Sequence, residues 1–188
     1  VATRAQPFVT TNLNVLAREV VSDLEARIEQ TCGRVVIDEL PTLEADPVQM
    51  RQLLQNLIAN ALKFHRGDVA PVVRVIAVAV PSESLSAGQQ LCRIVVEDNG
   101  IGFEMKFADR IFTPFQRLHA RHEFEGTGMG LAICRKIVER HHGSITATSI
   151  PGNGSTFIIT LPLQQPDAGR GLWAQDGAAS ALSWPMTT

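Results

Sequence analysis

DNGIGF at Asp98–Phe103 and GTGMGL at Gly126–Leu131 are the stretches whose reading decides what this chain is built around. Neither has the phosphate-loop spacing GxxxxGK followed by Ser or Thr. Neither completes GxGxxG, because the sixth positions are Met105 and Leu131. The second stretch nevertheless opens straight into a helical pattern, where unpaired N–H groups and the helix dipole favour a phosphate. The first ends a β-rich run. Together they predict a nucleotide held by something other than the two commonest loops.

At 188 residues the chain suits one domain with a real core plus an appendage. Its net charge of −2 leaves no basic stripe for nucleic acid and no polybasic run for a lipid surface. The longest apolar stretch, Val72–Val80, is interrupted by Arg74 and is too short to span a bilayer. Neither nucleic acid nor membrane contact is therefore expected of this segment. Cys32, Cys92 and Cys134 lie far apart, without CxxC or a histidine at metal-site spacing. They read as reduced core thiols in a reducing, cytoplasmic setting. A start at Val1 rather than Met is expected of a segment from a longer protein.

Outward from the glycine stretches, the pattern divides the chain. Residues 1–10 read as the end of a preceding linker, 11–164 as the domain, and 165–188 as a flexible tail rich in Ala, Gly and Ser. Asn12 or Thr11 caps a helix with apolar positions Leu13, Leu16, Val20, Leu24 and Ile28, closed by Gly33. Arg34–Leu40 reads as a short strand. Asp46-Pro47 starts a second helix that runs to about His65. Val72–Val80 and Leu91–Glu97 read as a hairpin, Met129–His142 as a helix, and Ser144–Ile150 with Ser155–Leu163 as a final hairpin turning at PGNG. Between Ile101 and Glu125 no period is sustained, which suggests a lid or binding loop.

Four constellations carry chemistry. Asn56, Asn60 and Lys63 share a helix face. They are either a solvated polar stripe or amide oxygens for Mg²⁺ with an ammonium for phosphate. Asp98 either begins a tight turn or accepts from an adenine amino group, with Gly100 and Gly102 letting the base approach. The glycines of GTGMGL either form a loop capping an ordinary core helix or leave first-turn N–H groups facing a phosphate. Phe112 and Phe115 read as core anchors that would tether a lid, with Arg117 projecting toward phosphates.

In order and spacing these segments resemble the catalytic, ATP-binding domain of sensor histidine kinases, within the wider family that includes gyrase and Hsp90 ATPase domains. The resemblance rests on NLIANALKF, DNGIGF, IFTPFQRL, GTGMGL and GNGSTF, and it spans Leu13 to Leu163. The wording around ALKFHR, FQRLH and GLAICRKIVERHHG is most similar to PAS-linked or phytochrome-type bacterial kinases. It implies an α/β two-layer sandwich: a mixed, mostly antiparallel sheet of about five strands on roughly three helices, with a long ATP lid over Phe103–Glu125.

The resemblance further implies ATP and Mg²⁺ as cofactors. Asn60 would be the Mg²⁺ ligand with Asn56 beside it, and Lys63 would reach phosphate. Asp98 would read adenine, assisted by Gly100, Gly102 and Thr156. Gly126, Thr127, Gly128, Gly130 and Leu131 would hold the phosphates. The implied partners are a dimerisation and phosphoacceptor domain of the same protein, itself a phosphoprotein, and a response-regulator receiver domain downstream.

Two departures matter. Asn56 stands where the ATPase branches place a glutamate, and an amide is no general base, so transfer is favoured over hydrolysis. None of His65, His119, His122, His141 and His142 sits in the family's phosphoacceptor setting. A stand-alone serine kinase of the anti-sigma type and a degenerate nucleotide-binding scaffold are the competing expectations.

Overall fold

Side-chain caps begin two of the helices. In the computed structural model, which describes residues 6–80, 90–116 and 127–165, the Asn12 side chain accepts from the N–H groups of Asn14 and Val15 and starts α1 (Leu13–Asp23). Asp46 does the same for Val48 and Gln49 at the start of α3 (Pro47–Lys63), with proline in the first turn, where no N–H is needed. The first expected helix is broken: α1 ends at Leu24, and α2 (Glu25–Gln30) continues from it. The apolar spacing runs through the break, because Leu24 and Ile28 both pack on the core.

The main sheet has five strands in the order β2-β4-β5-β7-β6. These are β2 (Arg34–Ile37), β4 (Val72–Ala79), β5 (Leu91–Asp98), β6 (Ser144–Ile150) and β7 (Gly154–Pro162). Only β2 and β4 are parallel; the other pairings are antiparallel, as expected. Residues of β6 alternate exposed and buried along its length, the mark of a sheet with one covered face. Leu53, Leu57 and Ile58 of α3 pack with Cys134 and Val138 of α4 (Gly130–Arg140) over Ile94, Val96 and Ile159. Each aliphatic side chain fully buried there contributes about 1.5–3 kcal/mol.

A small second sheet was not legible. Strand β1 (Val9–Asn12) pairs antiparallel with β3 (Thr42–Ala45). Residues 6–10, expected to end a linker, are thus tied into the fold. The Gln6 N–H donates to Asp46 Oδ2 at 2.7 Å, and the Gln6 carbonyl accepts from Arg140 Nη2 at 2.8 Å. The other end is tied to β3 too, for the Gln165 N–H donates to Glu44 Oε2 and its amide to the Glu44 carbonyl, both at 2.9 Å. Residues beyond Gln165, with both tryptophans, lie outside the described residues.

Burial pushes the thiols of Cys92 and Cys134 up to about 11 and about 12, so both are inert core groups. Cys32 departs from the expectation: it is exposed, with φ 51°, just past the end of α2. His141 is fully buried. Its Nε2 accepts from the Asp46 N–H at 3.0 Å and its Nδ1 donates to the Ile137 carbonyl at 2.7 Å, so the ring is neutral. Burial lowers its pKa, and the positive charge of Arg140 acts the same way. The Ile137 carbonyl and Asp46 oppose them.

A pKa depressed on folding means that the unfolded chain binds the proton more tightly, so stability falls as pH drops below the ordinary histidine value. Thermal melts at about pH 7.5 and 5.5 are expected to show a larger loss in the parent protein than in His141→Gln. Equal losses would remove His141 from the account.

Candidate nucleotide site

A cavity of about 290 Å³ opens between the end of α3, the end of β5 and the start of α4. Asn60, Lys63, Asp98, Gly102, Thr127, Gly128, Gly130 and Leu131 all line it, so most of the residues singled out by sequence converge. Asp98 is set by its neighbours. The N–H groups of Gly100 and Ser155 donate to its Oδ1 at 2.8 and 3.2 Å, and Oδ2 has no bond to the described residues. Burial raises its pKa above the ordinary carboxylate value, and those two N–H groups pull it partway back. Gly102 closes the wall with φ +63°; a Cβ there would sit 2.3 Å from the Ile150 carbonyl oxygen.

The opposite end is polar in another way. Helix α4 starts at Gly130 without any side-chain cap, unlike α1 and α3, so its first-turn N–H groups are left for a ligand. Asn56 Nδ2 donates to the Gly130 carbonyl at 3.3 Å and joins α3 to this start. A Cβ on Gly130 would lie 3.8 Å from both the Asn56 and Asn60 amides, which places those amides beside the glycine turn. The Asn60 amide makes no hydrogen bond among the described residues, which suits an oxygen kept for a hard ligand. The Lys63 ammonium lies over the Phe64 ring, 4.4 Å from its centroid.

An acceptor at one end of an apolar-walled cavity and bare helix N–H groups at the other fit a purine nucleotide. Residues 45–165 match the family described as histidine kinase-, DNA gyrase B- and HSP90-like ATPases. The chain belongs to this ATPase family. Cyanobacterial phytochrome A of Nostoc sp. is 44% identical over 163 residues, which are 87% of this chain and 20% of that protein. The sensor protein kinase WalK of Staphylococcus saprophyticus is 34% identical over 159 residues, 81% of this chain and 24% of that protein. The chain thus spans about a fifth to a quarter of these curated relatives' length. The catalytic domain of histidine kinase ThkA shares the fold with a TM-score of 0.68 at 28% identity, covering 85% of this chain and 97% of that one. Full-length ShkA, solved with AMPPNP, gives 0.69 at 25% identity over 89% of this chain and 33% of that one.

Within this family's pocket some expected residues fall elsewhere. Thr156 does not line the cavity; Ser155 does. Neighbours on a strand face opposite ways, and Ser155 shares its face with the buried Phe157. Gly100 does not line it either, and serves by donating its N–H to Asp98. Asn56 stands one turn back from the lining. Arg117 and Gly126 lie outside the described residues.

The front of the span expected to be a lid is anchored. Ile111 and Phe112 are buried, and Phe112 meets Phe157 edge-on at 6.4 Å. Phe115 is no anchor, being 76% exposed with φ 62°. Its N–H instead donates to the Gly128 carbonyl, closing the loop onto the glycine turn. Sequence reasoning also missed Phe64, whose carbonyl accepts from the Ile101 N–H at 2.9 Å and ties α3 to the Asp98 loop.

Proposed function

We propose that this domain binds Mg·ATP and passes its γ-phosphoryl group to a histidine on a dimerisation domain of the same cytoplasmic protein, for relay to a response-regulator aspartate. The observation that carries this is the single cavity joining the held carboxylate of Asp98, the Asn60 amide and the uncapped start of α4. Asp98 Oδ2 accepts from the adenine amino group, and the first turn of α4 with Thr127 and Gly128 holds the phosphates. Lys63 offsets their charge.

Among the described residues no group of three or more His, Cys, Asp or Glu could hold a metal. Mg²⁺ would therefore rest on the Asn60 amide oxygen, water and phosphate oxygens, a normal set for this ion. When bound it neutralises developing phosphate charge. The chain itself contributes position and electrostatics, which are most of what phosphoryl transfer requires.

Asn56 donates its amide to the Gly130 carbonyl and has no basic lone pair for water. Incubated alone with labelled Mg·ATP, the domain is expected to bind nucleotide and release little phosphate. Rapid hydrolysis without an acceptor would overturn the transferase reading. Phosphate on a serine of an added protein, rather than on a histidine, would favour the serine-kinase alternative.

A further inference from the structure

Ser149 of β6 belongs to no motif, yet its hydroxyl is the hub behind the Asp98 end of the cavity. It and Ser155 are buried, at 8% and 9% exposure. Ser149 Oγ donates to the Gly154 carbonyl at 2.7 Å, accepts from the Phe103 N–H at 2.8 Å and lies 3.1 Å from Ser155 Oγ. A hydroxyl has one proton and two lone pairs. A carbonyl can only accept, so the Ser149 proton goes to Gly154, and the contact with Ser155 must use the Ser155 proton.

Ser155 lines the cavity beside Asp98, and with its proton committed inward it turns lone pairs toward the cavity. Four of the neighbouring N–H groups are committed as well. Those of Gly100 and Ser155 go to Asp98 Oδ1, that of Ile101 to the Phe64 carbonyl, and that of Phe103 to Ser149. We infer that Ser149 is a positioning residue for base selectivity: by holding the Ser155 proton, it leaves Ser155 an acceptor at this end. Such an end receives a 6-amino purine and turns away a 6-oxo purine. The inference rests on adenine lying against Asp98.

The test is displacement of a fluorescent nucleotide by ATP and by inosine triphosphate, whose base carries a 6-oxo group and a proton on N1 in place of the 6-amino group and bare N1 of adenine. The parent is expected to prefer ATP by about a hundredfold or more. Ser149→Ala frees the Ser155 hydroxyl to turn its proton into the cavity, and the preference narrows by roughly tenfold. Ser149→Thr, which keeps the hydroxyl, retains it. Ser149→Cys, closest in volume, is expected to narrow it as well and serves if the alanine variant does not fold. A folded alanine or cysteine variant with the parental preference, or one that weakens both nucleotides equally, overturns the inference. A parent protein indifferent to the two bases would remove the adenine reading itself, and this inference with it.

Discussion

Asp98→Asn is expected to leave the fold intact while lowering the affinity for an ATP analogue by about a hundredfold, close to 3 kcal/mol. The side chain keeps its shape, and an amide oxygen at Oδ1 can still accept from the N–H groups of Gly100 and Ser155. What changes is the other atom. Oδ2 becomes an NH₂ facing the adenine amino group, so donor meets donor.

Stability moves the other way. Burial raises the Asp98 pKa, so the folded state holds the proton more tightly than the unfolded one. That effect costs nothing below the ordinary carboxylate pKa, and it becomes a full penalty once pH exceeds the raised value. At neutral pH the never-charged asparagine is therefore expected to raise the melting temperature, or at least not lower it. Calorimetric titration and thermal melts on one preparation read both signs. An unchanged binding heat would remove Asp98 from the base site.

Gly154→Ala is expected to be the most damaging single-methyl change among the described residues, costing roughly 4 kcal/mol or more. Gly154 has φ +93°, and a Cβ would lie 1.9 Å from the Asp98 carbonyl oxygen and 2.9 Å from the Asn99 Cα. Backbone surrounds the site, so nothing flexible can yield. Gly152, two residues earlier in the same turn, is the control: its φ is +79°, with nothing within 4 Å of an added Cβ. Gly152→Ala should cost only the left-handed penalty, about 1–2 kcal/mol. Urea unfolding of both variants separates steric overlap from backbone strain, and equal losses would refute the packing argument. Because the carbonyl struck belongs to Asp98, the surviving Gly154→Ala protein should also bind nucleotide poorly.

Strong local chemistry made much of this legible. Asp46-Pro47 announces α3 through two independent preferences, and the structure adds the cap bonds that explain them. Strands β1 and β3 escaped because four-residue segments such as VTTN and TLEA carry too little alternation to outweigh their polar residues. The choice between Ser155 and Thr156 was a matter of phase. GNGSTF offers a hydroxyl at both positions, a one-residue slip exchanges the faces, and only the burial of Phe157 decides which one meets the cavity. Ser149 was silent for a plainer reason, since a serine in an edge strand of Ser and Thr looks like surface until its neighbours are placed. Phe115 misled because spacing shows nothing about a positive φ.

Both ends of the described chain fasten to the short β3 region. Gln165 bonds to Glu44, and Gln6 bonds to Asp46 at the strand's edge. Where the two ends of a domain leave side by side, the unit behaves as a plug-in cassette. The small sheet is thus a clasp that holds the first and last described residues together.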